Sequence, residues 1–180
     1  MTRYAAFLRG VNVGANRRVS SAQLREAFEQ LGFGEVATFR TSGNVAFDAG
    51  RAARAKLTAQ VERGLAGALG FDVTVFLRSE SELRAIAAAR PFPPRAVKSS
   101  NGKLQVSLLP RRPSASARKR VLALATPGDR LAFEGAELYW LPSGGILESD
   151  LDLNAIEKVL GPTTRRTKDT LELMAAKLFA

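Results

Sequence analysis

Residues 36–47, VATFRTSGNVAF, decide the fold of this chain. Two apolar runs flank Ser42-Gly43-Asn44, and a Gly-Asn pair between such runs is typical of a tight hairpin turn. We therefore predict a strand over Val36–Thr41, a turn at residues 42–44 and a second strand that begins with Val45–Phe47. The hairpin makes the surrounding sheet at least partly antiparallel.

The segments around this hairpin supply two helices and two further strands. Thr2–Leu8 has the apolar run of a buried strand, and Ser20 with Gln23 forms a capping pattern that begins a helix. The inward face of that helix carries apolar residues at helical spacing, namely Leu24, Ala27, Phe28 and Leu31. Downstream we predict a helix over Arg51–Leu69 and a strand over Phe71–Leu77. This part of the chain therefore follows the β-α-β-β-α-β order of a ferredoxin-like unit.

The same order recurs in the second half of the chain. A helix over Ser79–Arg90 and a proline-rich connecting segment, Pro91–Asn101, lead to it. The predicted elements are a strand at Lys103–Leu109, a helix at Ser114–Ala125, a hairpin of Arg130–Glu134 with Glu137–Leu141, a helix at Leu151–Leu160, a short strand near Thr163 and a closing helix at Lys168–Phe179. We predict an α/β (α+β) protein of two tandem ferredoxin-like subdomains, residues 1–90 and 91–180, with largely antiparallel sheets and helices packed on them. No residue-level repeat accompanies this element order.

The composition narrows the chemistry that the chain can perform. Its 180 residues include no cysteine and no histidine. Disulfides, thiolate metal sites, thiol nucleophiles, Ser-His triads and histidine general bases are therefore excluded. Catalysis would need Asp, Glu, Lys, Tyr, Ser or Thr, and a metal would be a hard, oxygen-ligated ion; we expect neither a metal site nor a cofactor. No run is apolar enough for a signal peptide or a membrane helix, so we expect a cytoplasmic protein without a membrane partner.

The net charge of +10 favours anionic partners. Five cations follow the strand Lys103–Leu109 and continue into the helix Ser114–Ala125: Arg111, Arg112, Arg118, Lys119 and Arg120. Such a run marks either a nucleic-acid footprint or, more often, a solvated helix face. The neighbouring strand, Lys103–Leu109, carries no aromatic side chain on which a base would stack. A nucleic-acid partner is therefore an open alternative without a specific motif.

The predicted topology brings two loops to one end of the first sheet. Because the first two strands are parallel and the third is antiparallel to both, Arg9–Arg18 should lie beside Ser42–Asn44, with the helix N-terminus near Ser20 at the same end. Free helix N–H groups, glycines that admit close backbone approach and arginine forks all suit an anion. The candidate ligand-binding residues here are Arg9, Gly10, Asn12, Gly14, Asn16, Ser42, Gly43 and Asn44. Plain turn chemistry explains the same glycines and asparagines, and no dinucleotide fingerprint or P-loop is present.

Three short motifs resemble those of one known family. Residues 8–14 read LRGVNVG, residues 31–33 read LGF and residues 42–47 read SGNVAF. They are similar to the LRGINVGG, LGF and SGNVVF motifs of a widespread, mainly bacterial group, domain-of-unknown-function family 1697. The resemblance implies a fold of two similar α/β subdomains and no established activity. Ala15 replaces the second glycine of the first motif.

The resemblance extends to the C-terminal part of the chain. The family's T-x-R-N-W-N-T pattern is similar to TRRTKDT at residues 164–170. Arg166 matches the arginine of this pattern and joins the candidate ligand-binding residues. Thr167 and Lys168 replace the family's Asn and Trp, so a site built on this segment would be altered here.

Three classes of function remain open from the sequence. The first is a non-catalytic binder of a phosphate-bearing or otherwise anionic, nucleotide-like small ligand at the Arg9–Asn16 and Ser42–Asn44 loops. The second is an enzyme that acts on a small anionic substrate without histidine or cysteine. The third is a basic module that contacts a protein or nucleic acid. The sequence indicates neither an oligomeric state nor a catalytic residue.

Overall fold

The computed structural model describes residues 1–41 and 43–180, and the chain in it forms two compact units. The first unit comprises Met1–Arg84 together with Met174–Ala180, and the second comprises Ala85–Leu173. Within the described residues each unit contains a four-stranded antiparallel sheet. The predicted division into subdomains of residues 1–90 and 91–180 stays a prediction.

The first unit has the predicted β-α-β-β-α-β order. Its elements are β1 (Thr2–Arg9), α1 (Ser21–Gln30), β2 (Gly34–Thr38), β3 (Asn44–Ala49), α2 (Arg54–Leu69) and β4 (Thr74–Ser79). The strands lie in the order β2-β3-β1-β4, and every neighbouring pair is antiparallel. The ferredoxin-like topology predicted for this half is confirmed.

Apolar stripes on the two helices form the core of the first unit against one face of the sheet. Leu24, Ala27 and Phe28 of α1 are buried, as are three residues of α2, namely Leu57, Val61 and Leu65. The Phe47 ring of β3 lies 5.1 Å from the Phe28 ring between centroids, a distance typical of favourable aromatic pairs. The Ser20 hydroxyl accepts a hydrogen bond from the Gln23 amide and the Gln23 side chain accepts one from the Ser20 amide, so the predicted capping box is confirmed.

The second unit repeats this topology. Along the chain, α3 (Glu80–Ala88) and α4 (Pro94–Ser99) follow β4; the remaining elements are β5 (Gln105–Leu108), α5 (Ala115–Leu122), β6 (Asp129–Glu134), β7 (Glu137–Pro142), α6 (Leu153–Leu160), β8 (Thr164–Thr167) and α7 (Lys168–Leu178). The strand order β6-β7-β5-β8 corresponds position by position to that of the first sheet. The tandem βαββαβ arrangement is therefore confirmed. None of the described helices has both the length and the apolar character that a bilayer crossing requires.

Two predicted elements need correction. The connecting segment Pro91–Asn101 contains the short helix α4, which begins at Pro94; proline suits the first turn because its missing N–H would have no helical partner there. The strand predicted over Val36–Thr41 lies instead at Gly34–Thr38. The β2–β3 register shifts between Gly34 and Ala37, and Glu35 has a φ of 46°, as at a β-bulge. This irregularity interrupts the alternation of apolar and polar residues, so the start of the strand could not be recognised in the sequence.

The buried carboxylate of Asp129 accepts hydrogen bonds from three segments at one end of the second unit. Asp129 accepts hydrogen bonds from the Trp140 indole at 2.6 Å, the Thr126 hydroxyl at 2.6 Å and the Ser149 hydroxyl at 2.8 Å. Burial raises the pKa of the Asp129 carboxyl, but these three hydrogen bonds outweigh it and hold the pKa below its ordinary value of 3.8. The carboxylate thus stabilises the fold in its ionised form.

We expect Asp129→Ala to destabilise the second unit by about 3 kcal/mol at neutral pH, because the buried Trp140 N–H loses its acceptor. Since the folded-state pKa is lowered, the ionised group's contribution is present above pH 3.8 and is lost as the pH falls below it. The difference in free energy of unfolding between the variant and wild type should therefore be smaller at about pH 3 than at neutral pH. Urea unfolding followed by fluorescence of Trp140, the single tryptophan, measures both effects. Asp150→Ala removes an exposed carboxylate near Ser149 and should leave stability nearly unchanged; equal losses in the two variants would contradict the assignment.

Candidate functional site

The loop after β1 and the β2–β3 bend are neighbours at one end of the first sheet. Phe7 of β1 pairs with Asn44 of β3, and the Leu8 amide donates a 2.8 Å hydrogen bond to the Gly43 carbonyl. The Asn12 side-chain amide donates to the Thr41 carbonyl at 2.6 Å. The predicted proximity of Arg9–Arg18 to the bend is thus confirmed. We call this region of the first unit, residues 9–20, 39–41, 43–44 and 70–73, the loop end.

Asn12 holds the loop end together from its centre. Its amide donates to the Arg17 carbonyl at 2.7 Å, and its side-chain oxygen accepts from the Val19 amide at 2.9 Å. With the contact to Thr41, both ends of its carboxamide have protein partners. Its φ of 54° lies in the left-handed region, where asparagine is among the best-tolerated side chains. The structure therefore gives Asn12 a scaffolding role, and ligand contact by this residue stays a prediction.

The bend packs directly against the loop. A β-carbon at Gly43 would lie 2.6 Å from Val11 Cγ2 and 2.9 Å from Leu8 Cβ, and its φ is +71°. Asn44 is fully buried, and its side-chain amide donates to the Phe39 carbonyl at 2.9 Å. Ser42, the third candidate in the bend, lies outside the described residues.

Gly10 allows an arginine to cross the loop. Gly10 has a φ of +93°, and a β-carbon there would lie 3.2 Å from Arg17 Nη1. The Arg17 guanidinium lies over the Phe71 ring, 5.4 Å from its centroid, within the range of cation–π attraction. The absence of a side chain at Gly10 therefore leaves room for Arg17 to reach Phe71 in the α2–β4 loop.

A surface concavity of about 690 Å³ opens beside the N-terminus of α1. Its described lining residues are Asn12, Gly14, Arg18, Val19, Ser20 and Gln23. Arg18 is exposed and is the charged residue of this lining, which includes no carboxylate among the described residues. Gly14 has φ 69° and ψ −174°, a conformation that essentially only glycine adopts, and a β-carbon there would meet no atom within 4 Å.

The first turn of α1 begins beside this concavity, and two of its backbone amides have no acceptor within the helix. The first intrahelical hydrogen bond runs from the Leu24 amide to the Ser20 carbonyl, and Ser20 also caps the Gln23 amide. The amides of Ser21 and Ala22 precede the first helical donor and so have no carbonyl one turn back within the helix. The turn contains no acidic residue, so the positive end of the helix dipole is not offset locally.

The remaining sequence candidates have different surroundings. Arg9 pairs with Thr74 at the end of β1, and Asn16 is exposed in a 3-10 turn over Ala15–Arg17. Arg166 belongs to the second unit, where it is nearly buried on β8 and donates hydrogen bonds at 2.8 Å to the Thr164 hydroxyl and the Arg165 carbonyl. Burial lowers the pKa of Arg166 to about 10. Its participation in a ligand site stays a prediction.

The list of candidate ligand-binding residues omitted four residues that line the concavity, namely Arg18, Val19, Ser20 and Gln23. Sequence reasoning gives Arg18 only as one of three cations of the loop, with Arg9 and Arg17, while Ser20 and Gln23 carry a capping signal that indicates a helix start rather than a site. In residues 1–41 and 43–180 no three Asp or Glu side chains lie close enough to share a metal ion.

The βαββαβ topology that both units share defines a tandem ferredoxin-like α+β protein. The chain belongs to the family described as "Protein of unknown function (DUF1697)", whose model matches residues 1–139 and so includes the loop end. Its fold is similar to that of the conserved bacterial protein SP0830 from Streptococcus pneumoniae, with a TM-score of 0.75 over 100% of this chain and 99% of that one. At a sequence identity of 21%, this likeness shows that the fold is shared and carries no conclusion about function. Among curated proteins, none matches the chain.

We expect Gly43→Ala to destabilise the first unit by about 3 kcal/mol, since the new methyl group meets Val11 and Leu8 in a backbone conformation that already disfavours alanine. Gly70→Ala is the matched control, because Gly70 has a φ of +76° but open space where its β-carbon would lie. That variant should lose only the conformational part, about 1 kcal/mol. Urea denaturation of both variants tests the difference, and equal losses would show that the bend does not pack tightly on the loop.

Proposed function

We propose that the protein is a non-catalytic binder of a small phosphate-bearing or otherwise anionic, nucleotide-like ligand, held at the loop end of the first unit. The observation that carries the proposal is the concavity at the α1 N-terminus, where Arg18 is the charged lining residue. Its volume of about 690 Å³ falls within the size range of small-molecule sites.

Three features in or beside this concavity favour an anion over a neutral or cationic ligand. The Ser21 and Ala22 amides supply donors at the positive end of a ten-residue helix. The Arg18 guanidinium supplies a fork that matches two oxygens of one phosphate. Gly14 leaves the loop backbone without a side chain at the rim, so a ligand oxygen can approach it closely.

Binding without catalysis is favoured because the concavity lacks a group suited to proton transfer. The chain has no histidine or cysteine, and the described lining holds no carboxylate, lysine or tyrosine. The carboxyl of Glu82 in α3, outside the concavity, has a lowered pKa, but its contacts are those of a structural ion pair. Burial raises the pKa of its carboxyl, but hydrogen bonds from Arg54 and the Ser79 amide outweigh burial and leave the pKa lowered, which suits a structural ion pair.

We expect inorganic phosphate, pyrophosphate or a nucleoside monophosphate to raise the melting temperature of the full chain at low salt. A ligand at ten times its dissociation constant stabilises by about 1.4 kcal/mol, which corresponds to about 3–6 °C for a chain of this size. Arg18→Ala should weaken the binding of the best of these probes about tenfold, because a charge-assisted hydrogen bond is lost. Differential scanning fluorimetry and isothermal titration calorimetry measure the two effects.

Arg25→Ala is the matched control for the loss of charge. Arg25 is an exposed residue of α1 that does not line the concavity, and its removal changes the net charge equally. Its affinity for the probe should stay within about twofold of wild type, since an exposed charge at a distance is largely screened. Stabilisation by none of the three anions would refute the proposal. Salt-sensitive oligonucleotide binding that survives Arg18→Ala but is lost when Arg118, Lys119 and Arg120 are neutralised would favour an interaction module instead.

A further inference from the structure

A second concavity lies within the second unit, at the segment that precedes β5. It has a volume of about 670 Å³, and its walls come from residues 89–104 and from the first turns of α7. All of its lining residues belong to the second unit. We call it the α4–α7 cleft. It shares no residue with the loop end and is independent of the proposed anion site.

One wall of the α4–α7 cleft is apolar and stiff. Phe92 is buried except for 8% of its surface, and Pro91, Pro94, Val97 and Leu104 lie beside it in the lining. Val97 is among the exposed large hydrophobic residues of the chain, at 37%. The proline rings restrict the backbone, so little conformational entropy is lost when a ligand covers this wall. Apolar area held open to water in a concave surface favours an occupant with an apolar body.

The opposite wall carries a buried ammonium group with unused donor capacity. The Lys168 side chain is only 5% exposed, and its Nζ donates to the Ala87 carbonyl at 2.6 Å and to Glu172 Oε1 at 2.7 Å. An ammonium group has three N–H donors, so one remains without a partner among the described residues. Burial of that donor costs free energy unless something accepts from it.

The charge around the cleft is incompletely balanced. Glu172 also pairs with Arg90 Nη1 at 3.2 Å, so this one carboxylate serves two cations. Lys98 and Lys103 line the cleft as exposed residues and form no ion pair within the described residues. Asp169 is the other acid of the lining. Four cations therefore face two acids, and the surplus positive charge calls for a monoanion or dianion.

We propose that the α4–α7 cleft binds a small organic carboxylate with a planar apolar body, with its carboxylate on Lys168 and its body against Phe92 and the prolines. One carboxylate oxygen accepts a hydrogen bond from the remaining Lys168 N–H, and the second oxygen carries charge that Lys98 or Lys103 can reach from the rim. The apolar wall distinguishes this ligand from inorganic phosphate, which would leave that wall exposed to water. The ligand class thus differs from that proposed for the loop end.

Benzoate is the probe that tests the proposal in the full-length protein, with benzamide as its neutral isostere. In ¹⁵N-edited NMR titrations we expect benzoate to shift amide resonances of residues 89–104 and 168–172, and benzamide to bind at least about tenfold more weakly, because the ionic contact is lost. Benzamide binding as tight as benzoate, or shifts that fall outside these segments, would overturn the proposal. Absence of any shift at about 50 mM benzoate would overturn it as well, since a fitting carboxylate should bind at millimolar concentration.

Lys168→Met tests the buried ammonium while it retains most of the side-chain volume. We expect at least about a tenfold loss of benzoate affinity, against less than about twofold for Lys119→Ala, an exposed cation of α5 that does not line the cleft. If Lys168→Met does not fold, the double variant of Lys98→Ala with Lys103→Ala decides, with about a fivefold loss expected from the rim. Unchanged benzoate affinity in the variant that folds would refute the assignment.

Discussion

β1 pairs with β3 on one side and with β4 on the other, and the position of the candidate site in the first unit depends on this pairing. The register sets Phe7 opposite Asn44 and Arg9 opposite Thr74. Three connections consequently meet at one end of the sheet: the loop after β1, the β2–β3 bend and the loop before β4. A one-residue slip would turn the β1 side chains to the opposite face, so burial of the α1 and α2 stripes also fixes the loops.

Within the loop end, the residues that hold the structure differ from those available to a ligand. Asn12 uses both ends of its carboxamide on Thr41 and Val19, and Gly43 has no room for a methyl group. Arg18, by contrast, is exposed and lines the concavity beside the α1 N-terminus. This division follows from physical chemistry, because a side chain that satisfies buried or bridging groups cannot exchange them for a ligand without cost. The glycines and asparagines of a motif can therefore hold a loop in place without contacting a ligand themselves.

The sequence predicted those features whose causes are local. The Ser20–Gln23 capping box, the hairpin around Gly43 and the helical spacing of Leu24 and Phe28 all concern neighbours within a few residues, and the element order followed from them. The helix at Pro94 and the bulge at Glu35 were missed because a proline-rich run and an interrupted alternation each fit more than one structure. The two concavities depend on contacts between distant segments. No periodicity shows that Lys168 is buried beside the Ala87 carbonyl, 81 residues earlier in the chain.

The two units share their topology down to a single hydrogen bond, yet their loops differ. The Leu109 amide donates to the Ala136 carbonyl at 3.0 Å, and the Leu8 amide donates to the Gly43 carbonyl at 2.8 Å. In each unit the first strand therefore ends against the bend between the second and third strands. After Leu109 the chain reads Pro-Arg-Arg-Pro and enters the Ser114 cap at once. The first unit instead inserts Gly10–Val19 before its cap, and this longer loop contains Asn12, Gly14 and Arg18. The repeated sheet therefore supplies a position for a loop. In the first unit the longer loop forms a polar concavity at this position, and in the second unit a cleft lies at the segment that precedes the sheet.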